Sequence, residues 1–306
     1  MSFQKNTGPN AWPSIAGLMS EELMTDGAAK IGILGAPMTK GCVTPSDYHL
    51  APEKFRASLK RISTYDLETA TDLADLTIKD YGDCDVSTLS PKDGFSPIKS
   101  AFSKLTQTHD LSALIGGHNG ITRAGVHALD PSLEKVGLLT LDAHFDLRST
   151  ENGLMNGNPV TALLEDGLPG HHIAQIGLAP FANTAQMHRT ALHAGIHVYA
   201  LSDCATHGTG KIIEAALKTL NRTCETIYVD FDIDVIDRAQ SPGAPGGRNG
   251  GFSAAEFWRA TRQIGAHPKV RAVDLTEFDP ALDVSDITAL ISGRWFAELL
   301  VGYKSR

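Results

Sequence analysis

Short apolar runs recur along the chain at residues 30–37, 111–115, 136–142, 226–232 and 269–275, and the run at 136–142 shows no period-two alternation. A strand covered on both faces of its sheet is apolar on both sides of the pleat, so such runs read as buried strands of a parallel sheet. Weaker runs at 77–83, 172–177 and 196–200 extend the series. Between them lie segments of helical period at 51–61, 92–107, 121–129, 183–194, 208–220 and 285–302. Their starts carry helix chemistry: Pro52 in a first turn, Asn158 before Pro159 as a cap, and Ser253 with Glu256 as a capping box. Residues 241–251 hold too many Gly and Pro for anything but a loop.

Strand and helix alternate to the end with no linker and no repeat. The pattern predicts one three-layer α/β domain over residues 30–306, built on a mostly parallel sheet. Residues 1–29, rich in Gly, Pro and Asn, predict an N-terminal arm over the surface.

Composition narrows the function classes. With 306 residues, 42% of them hydrophobic, the chain can bury a large core. A formal charge of −8 argues against nucleic acid and anionic membrane as partners. No run reaches membrane-spanning length and the start lacks the apolar centre of a signal peptide. Cys42, Cys84, Cys204 and Cys224 have no Cys-x-x-Cys spacing, which predicts reduced thiols in a cytoplasmic protein.

The chemistry gathers where strands end. The run at 136–142 continues as Asp142-Ala143-His144-Phe145-Asp146, and the run at 226–232 carries Asp230, Asp232 and Asp234 at alternate positions. A helix cap or buried ion pair explains one such motif. Two of them, with no cation nearby in sequence, would repel strongly unless divalent cations neutralise them. Carboxyl ends of parallel strands are also where α/β sheets form sites.

These two motifs, in this order, resemble the ureohydrolase family of arginase, agmatinase, guanidinobutyrase and formimidoylglutamase, and the resemblance spans almost the whole chain. It implies an arginase-like fold, two divalent metal ions (Mn2+, with Ni2+ possible), and metal ligands at Asp142, His144, Asp146, Asp232 and Asp234. The family's sixth ligand is a His after a Gly-Gly turn. Here the turn reads Gly116-Gly117-His118-Asn119-Gly120, so an ungapped match puts Asn119 there. Neutral imidazole is much the better ligand, and a one-residue slip absorbed by Gly120 would deliver His118, which is the ligand expected.

Glu277 matches the family's partner for a substrate amidine, and a carboxylate can hold that planar group by two parallel hydrogen bonds. Asp146 and Glu277 are therefore the catalytic candidates, with Glu277 and Asn156 reading substrate. Asn156 is a departure: arginase-like enzymes have a His there that handles protons, and an amide does not. The segment 144–148 leans toward formimidoylglutamase.

The expected activity is hydrolysis of a linear C–N bond in a guanidino compound, releasing urea and an amine. The alternative is a formimino substrate such as formimidoylglutamate, releasing formamide, with Arg148 and Arg248 for its carboxylates. A weakly active or non-catalytic subunit, paired with a paralogue in a hetero-oligomer, is a further reading. A deacetylase of the same broad fold is a weaker one. The resemblance also implies a homo-oligomer, trimer or hexamer.

Overall fold

The computed structural model describes residues 12–20 and 29–306. Its strands are β1 (Met19–Ser20), β2 (Ile31–Ala36), β3 (Tyr65–Asp66), β4 (Thr71–Asp72), β5 (Ile78–Asp83), β6 (Leu111–Gly116), β7 (Val136–Leu141), β8 (Ile173–Leu178), β9 (His197–Ala200), β10 (Thr226–Asp232) and β11 (Val270–Thr276). Its helices are α1 (Ala51–Ser58), α2 (Pro91–Thr108), α3 (Thr122–Leu129), α4 (Pro159–Glu165), α5 (Ala185–Ala194), α6 (Leu201–His207), α7 (Thr209–Thr223), α8 (Ala254–Gly265) and α9 (Ile287–Lys304). Among the described residues, nine strands form one sheet in the order β1-β5-β2-β6-β11-β10-β7-β8-β9. Every neighbouring pair in it is parallel.

Two apolar cores explain why the strand runs do not alternate. Ile31 and Ile33 of β2, with Leu139 and Leu141 of β7, face a core that holds Phe55 of α1, Leu220 of α7, Phe257 of α8 and Trp295 of α9. Their neighbours Leu34, Ala36, Val136 and Leu138 face the opposite core, with Phe102 of α2, Val126 of α3 and Leu163 of α4. Successive side chains point to opposite faces, and both faces are dry.

The observed elements follow the sequence expectation from β2 to α9, with three additions. The β3–β4 pair has two residues per strand, α6 is a single short helix before α7, and β1 joins the sheet edge beside β5. All three are too short for a periodic pattern to show. The predicted arm is described only in part: Ile15, Ala16 and Met19 are buried in the domain, and residues 1–11 and 21–28 lie outside the described residues. Among the described residues no helix is long and apolar enough to cross a membrane.

Two of the expected helix starts differ in outcome. Ser253 and Glu256 form the reciprocal capping box of α8. Asn158 precedes α4 but does not cap it with its side chain. Its Oδ1 accepts from Met155 N–H at 2.8 Å, and its Nδ2 donates to Ser149 O at 3.1 Å and Gly153 O at 3.0 Å. Fully buried, this amide ties together the loop after β7.

That loop and the turn after β6 meet the segment after β2. At Gly117 an added Cβ would lie 2.3 Å from Met38 O and 2.6 Å from Met38 N. These neighbours are backbone atoms that cannot rotate away. Gly117→Ala should therefore lower stability by about 1–3 kcal/mol, the usual cost of overpacking, read as a lower urea midpoint at unchanged m-value.

Candidate metal centre

Four adjacent strands at the middle of the sheet, in the order β6, β11, β10 and β7, deliver the site at their carboxyl ends. Asp142 follows β7, Asp232 closes β10, Asp234 lies in the single turn after it, and Glu277 follows β11. Asp142, Asp146, Asp232, Asp234 and Glu277 are all buried. Asp146 and Glu277 both take positive φ, 53° and 62°. Such backbone is costly for a side chain with a Cβ, and persists where the surroundings over-determine it.

His144 stands between two of these acids. Its Nδ1 lies 3.0 Å from Asp234 Oδ2 and 3.5 Å from Asp142 Oδ1, and these three side chains offer a converging set of ligand atoms. Asn183 clamps the backbone on both sides of this histidine. Its Oδ1 accepts from Phe145 N–H at 2.8 Å and its Nδ2 donates to Ala143 O at 2.9 Å. Gly246 packs close by, where an added Cβ would lie 2.1 Å from Asp234 Oδ2. Arg238 holds that Gly/Pro-rich loop in place by donating to Ala244 O at 2.7 Å and Pro245 O at 2.8 Å.

The electrostatics are those of a site that lacks positive charge. Burial first, then the Asp234 carboxylate, push Asp142 up to about 7. Burial and the surrounding acids also raise Asp146 and Asp232 well above the usual carboxylate range. Burial opposes the charge on His144, yet Asp234 and Asp142 push it up to about 12. Against burial, the same imidazolium holds Asp234 low. Among the described residues, no Lys or Arg forms an ion pair with any of these acids. Hard oxygen donors with one imidazole, crowded and short of cations, fit divalent metal ions.

The glycine turn corrects one expectation. His118 is fully buried and does not face the acids: its Nε2 meets Lys40 O at 3.0 Å and its Nδ1 accepts from Gly120 N–H at 3.0 Å. Both ring nitrogens are thus spent on backbone, and burial pushes the imidazole down to about 4. The slip that would have turned it to the site has no room. Gly117 is packed on Met38, and the missing Cβ of Gly120 is what makes space for the His118 ring. Asn119 takes the site position instead. Its Nδ2 donates to Asp146 Oδ2 at 2.6 Å, and its Oδ1 accepts from Thr122 Oγ1 at 2.6 Å.

Glu277 is held from three sides. Asn119 N–H donates to its Oε1 at 2.8 Å, Asn156 Nδ2 donates to Oε1 at 3.1 Å, and the Tyr48 hydroxyl donates to Oε2. Asn156 also accepts from Val43 N–H at 2.8 Å through Oδ1, so both ends of its amide join that loop to Glu277. Arg148 and Arg248 line the same cavity as Glu277, Asp146 and His144. No motif or spacing in the chain points to Tyr48 or Asn183. For Asn119, the ungapped match named the position that the structure now places beside Asp146.

Comparison with known proteins agrees with this geometry. A family model described as the arginase family matches residues 29–302. The chain is similar to a formimidoylglutamase of Halalkalibacterium halodurans, 31% identical over 275 residues that cover 89% of this chain and 86% of the relative. It is also similar to a guanidinopropionase of Pseudomonas aeruginosa, 27% identical over 307 residues, covering 94% of this chain and 92% of the other. The crystal structure of formimidoylglutamase from Bacillus subtilis superposes with a TM-score of 0.90 at 25% identity, over 99% of this chain and 95% of that one.

The raised carboxyl groups give the metal-free chain a defined pH dependence. Folded Asp142 keeps its proton up to about 7, whereas its ordinary value is 3.8. Across that window the folded state binds more protons than the unfolded one, so stability falls as pH rises. Chelator-treated protein should melt several degrees lower at about pH 8 than at about pH 5. Added Mn2+ should reverse the loss at the higher pH. A melting temperature that rises with pH over this range contradicts the assignment.

Proposed function

The chain belongs to the arginase family, and on that premise we propose that it hydrolyses the formimino group of an N-formimidoyl amino acid with two carboxylates, such as formimidoylglutamate. Water adds across R–NH–CH=NH, the C–N bond to the amino acid breaks, and the products are formamide and the free amino acid, here glutamate. The observation that carries this reading is the pair Arg148 and Arg248 in the cavity that holds Glu277. Both are exposed, and among the described residues no carboxylate pairs with either. A dicarboxylate would supply those partners, because guanidinium groups match carboxylates in planar, charge-assisted contacts. The similarity to formimidoylglutamases over most of the chain supports the same choice.

Asp142, His144, Asp146, Asp232 and Asp234 would hold two divalent cations, with manganese as the metal proposed. Cations bound there would polarise an amidine and supply an acidified water near neutral pH. The chain's own residues do the rest. Glu277 accepts from the formimino nitrogens and fixes the plane of the reacting carbon. Asn156 holds Glu277 and has no titratable proton, so it does not serve as an acid. Asp146 is the group we assign to moving the proton to the leaving amine. Asn119 fixes its Oδ2 by donating to it at 2.6 Å, which leaves its other carboxylate oxygen free to face the substrate.

A guanidino substrate remains the second reading, because Glu277 would hold a guanidinium as well as a formamidinium. Side-by-side assays on formimidoylglutamate and 4-guanidinobutyrate separate the two. Formamide release on the first with little urea from the second is the expected result. Urea release alone would return the substrate to the guanidino class, and no turnover of either by metal-loaded protein would favour a non-catalytic subunit. Arg148→Ala and Arg248→Ala should each raise KM for formimidoylglutamate roughly tenfold at unchanged metal content, the scale of one charged hydrogen bond.

A further inference from the structure

The loop between β2 and α1 brings Tyr48 to the site from the opposite end of the chain. Its hydroxyl donates to Glu277 Oε2, and among the described residues it is the one side chain that does so. The ring is 1% exposed, so the hydroxyl has little water to turn to. Burial first, then the Glu277 carboxylate, raise the proton affinity of this phenol far above its ordinary value, so it stays a donor.

The surroundings hold the ring in place. Tyr48 meets the edge of the His118 imidazole with ring centroids 6.0 Å apart at 71°. His118 is itself bonded to Lys40 O at the start of the same loop. One residue before Tyr48, the Asp47 N–H donates to Asp279 Oδ2 at 3.0 Å. The loop is therefore fastened to the segment after β11 at two residues, Glu277 and Asp279. Glu277 needs such fastening, since its φ of 62° is a backbone conformation that a free chain leaves readily.

We propose that Tyr48 is a positioning residue for Glu277: its hydroxyl holds the carboxylate in the orientation that receives the substrate amidine, with buried His118 as the support of its ring. This rests on the reading above in which Glu277 takes the amidine. It assigns His118 a place in the site's architecture that does not involve metal.

A double-mutant cycle tests it. Tyr48→Phe removes the hydroxyl and keeps the ring packing, so the protein should stay folded with metal content near the parent's. With Glu277 present, the change should lower kcat/KM tenfold or more. In a Glu277→Gln background the same change should cost less than threefold, because the group through which Tyr48 acts is already altered. Full multiplication of the two losses would show that Tyr48 acts on substrate directly, and would overturn the proposal. The cycle is read on whichever of formimidoylglutamate and 4-guanidinobutyrate the parent turns over, so failure of the first substrate is seen separately. A crystal structure of Tyr48→Phe gives a readout without turnover. Glu277 should leave its present place, and a carboxylate that keeps it, bonded to Asn119 and Asn156 as before, equally overturns the assignment.

Discussion

The constraint on which this structure depends is the crowding of carboxylates at the dry ends of its central strands. Asp142, Asp146, Asp232 and Asp234 are each at most 8% exposed, and the positive charge among them is that of His144. An uncompensated buried carboxylate is expensive, and neighbouring ones raise the cost further. In the metal-free chain this shows as raised proton affinity at Asp142, Asp146 and Asp232. Divalent cations would replace protons there, which makes metal binding and site protonation one linked equilibrium.

The fold supplies the rigidity that such a site needs. The acids after β7 and at the end of β10 extend from strands paired in register, Phe231 beside Leu141, with apolar cores on both faces. The loops at the sheet edge are then fastened by single polar side chains. Asn183 brackets His144, Asn158 ties the loop after β7, Arg238 closes the loop that carries Gly246, and Asn156 links Val43 to Glu277. The replacement of a proton-carrying His by Asn156 thus fits a role in holding Glu277. Its amide oxygen accepts from Val43 and its amide nitrogen donates to Glu277.

What could be read from the sequence follows from how local each signal is. The acids were legible because a charged residue at the end of an unalternating apolar run has no ordinary place in a core. The strands and most helices were legible for the same reason, since their burial on two faces is written in consecutive residues. Tyr48 was not legible: its partner Glu277 is 229 positions away, and nothing around Tyr48 in sequence indicates it. His118 shows the opposite failure. Ligand strength argued for turning it to the metal, and the packing of Gly117 on Met38 with the pull of Lys40 O turned it away. Chemical suitability ranked the two candidates in that turn, but backbone contacts decided between them.

The most direct measurement on this account is calorimetric titration of Mn2+ into chelator-treated protein near neutral pH, repeated in buffers of different ionisation enthalpy. The account predicts saturation at two ions per chain, with net proton release on binding, because the cations displace protons held by the buried acids. Binding without proton release, or no binding by the intact chain, would contradict it.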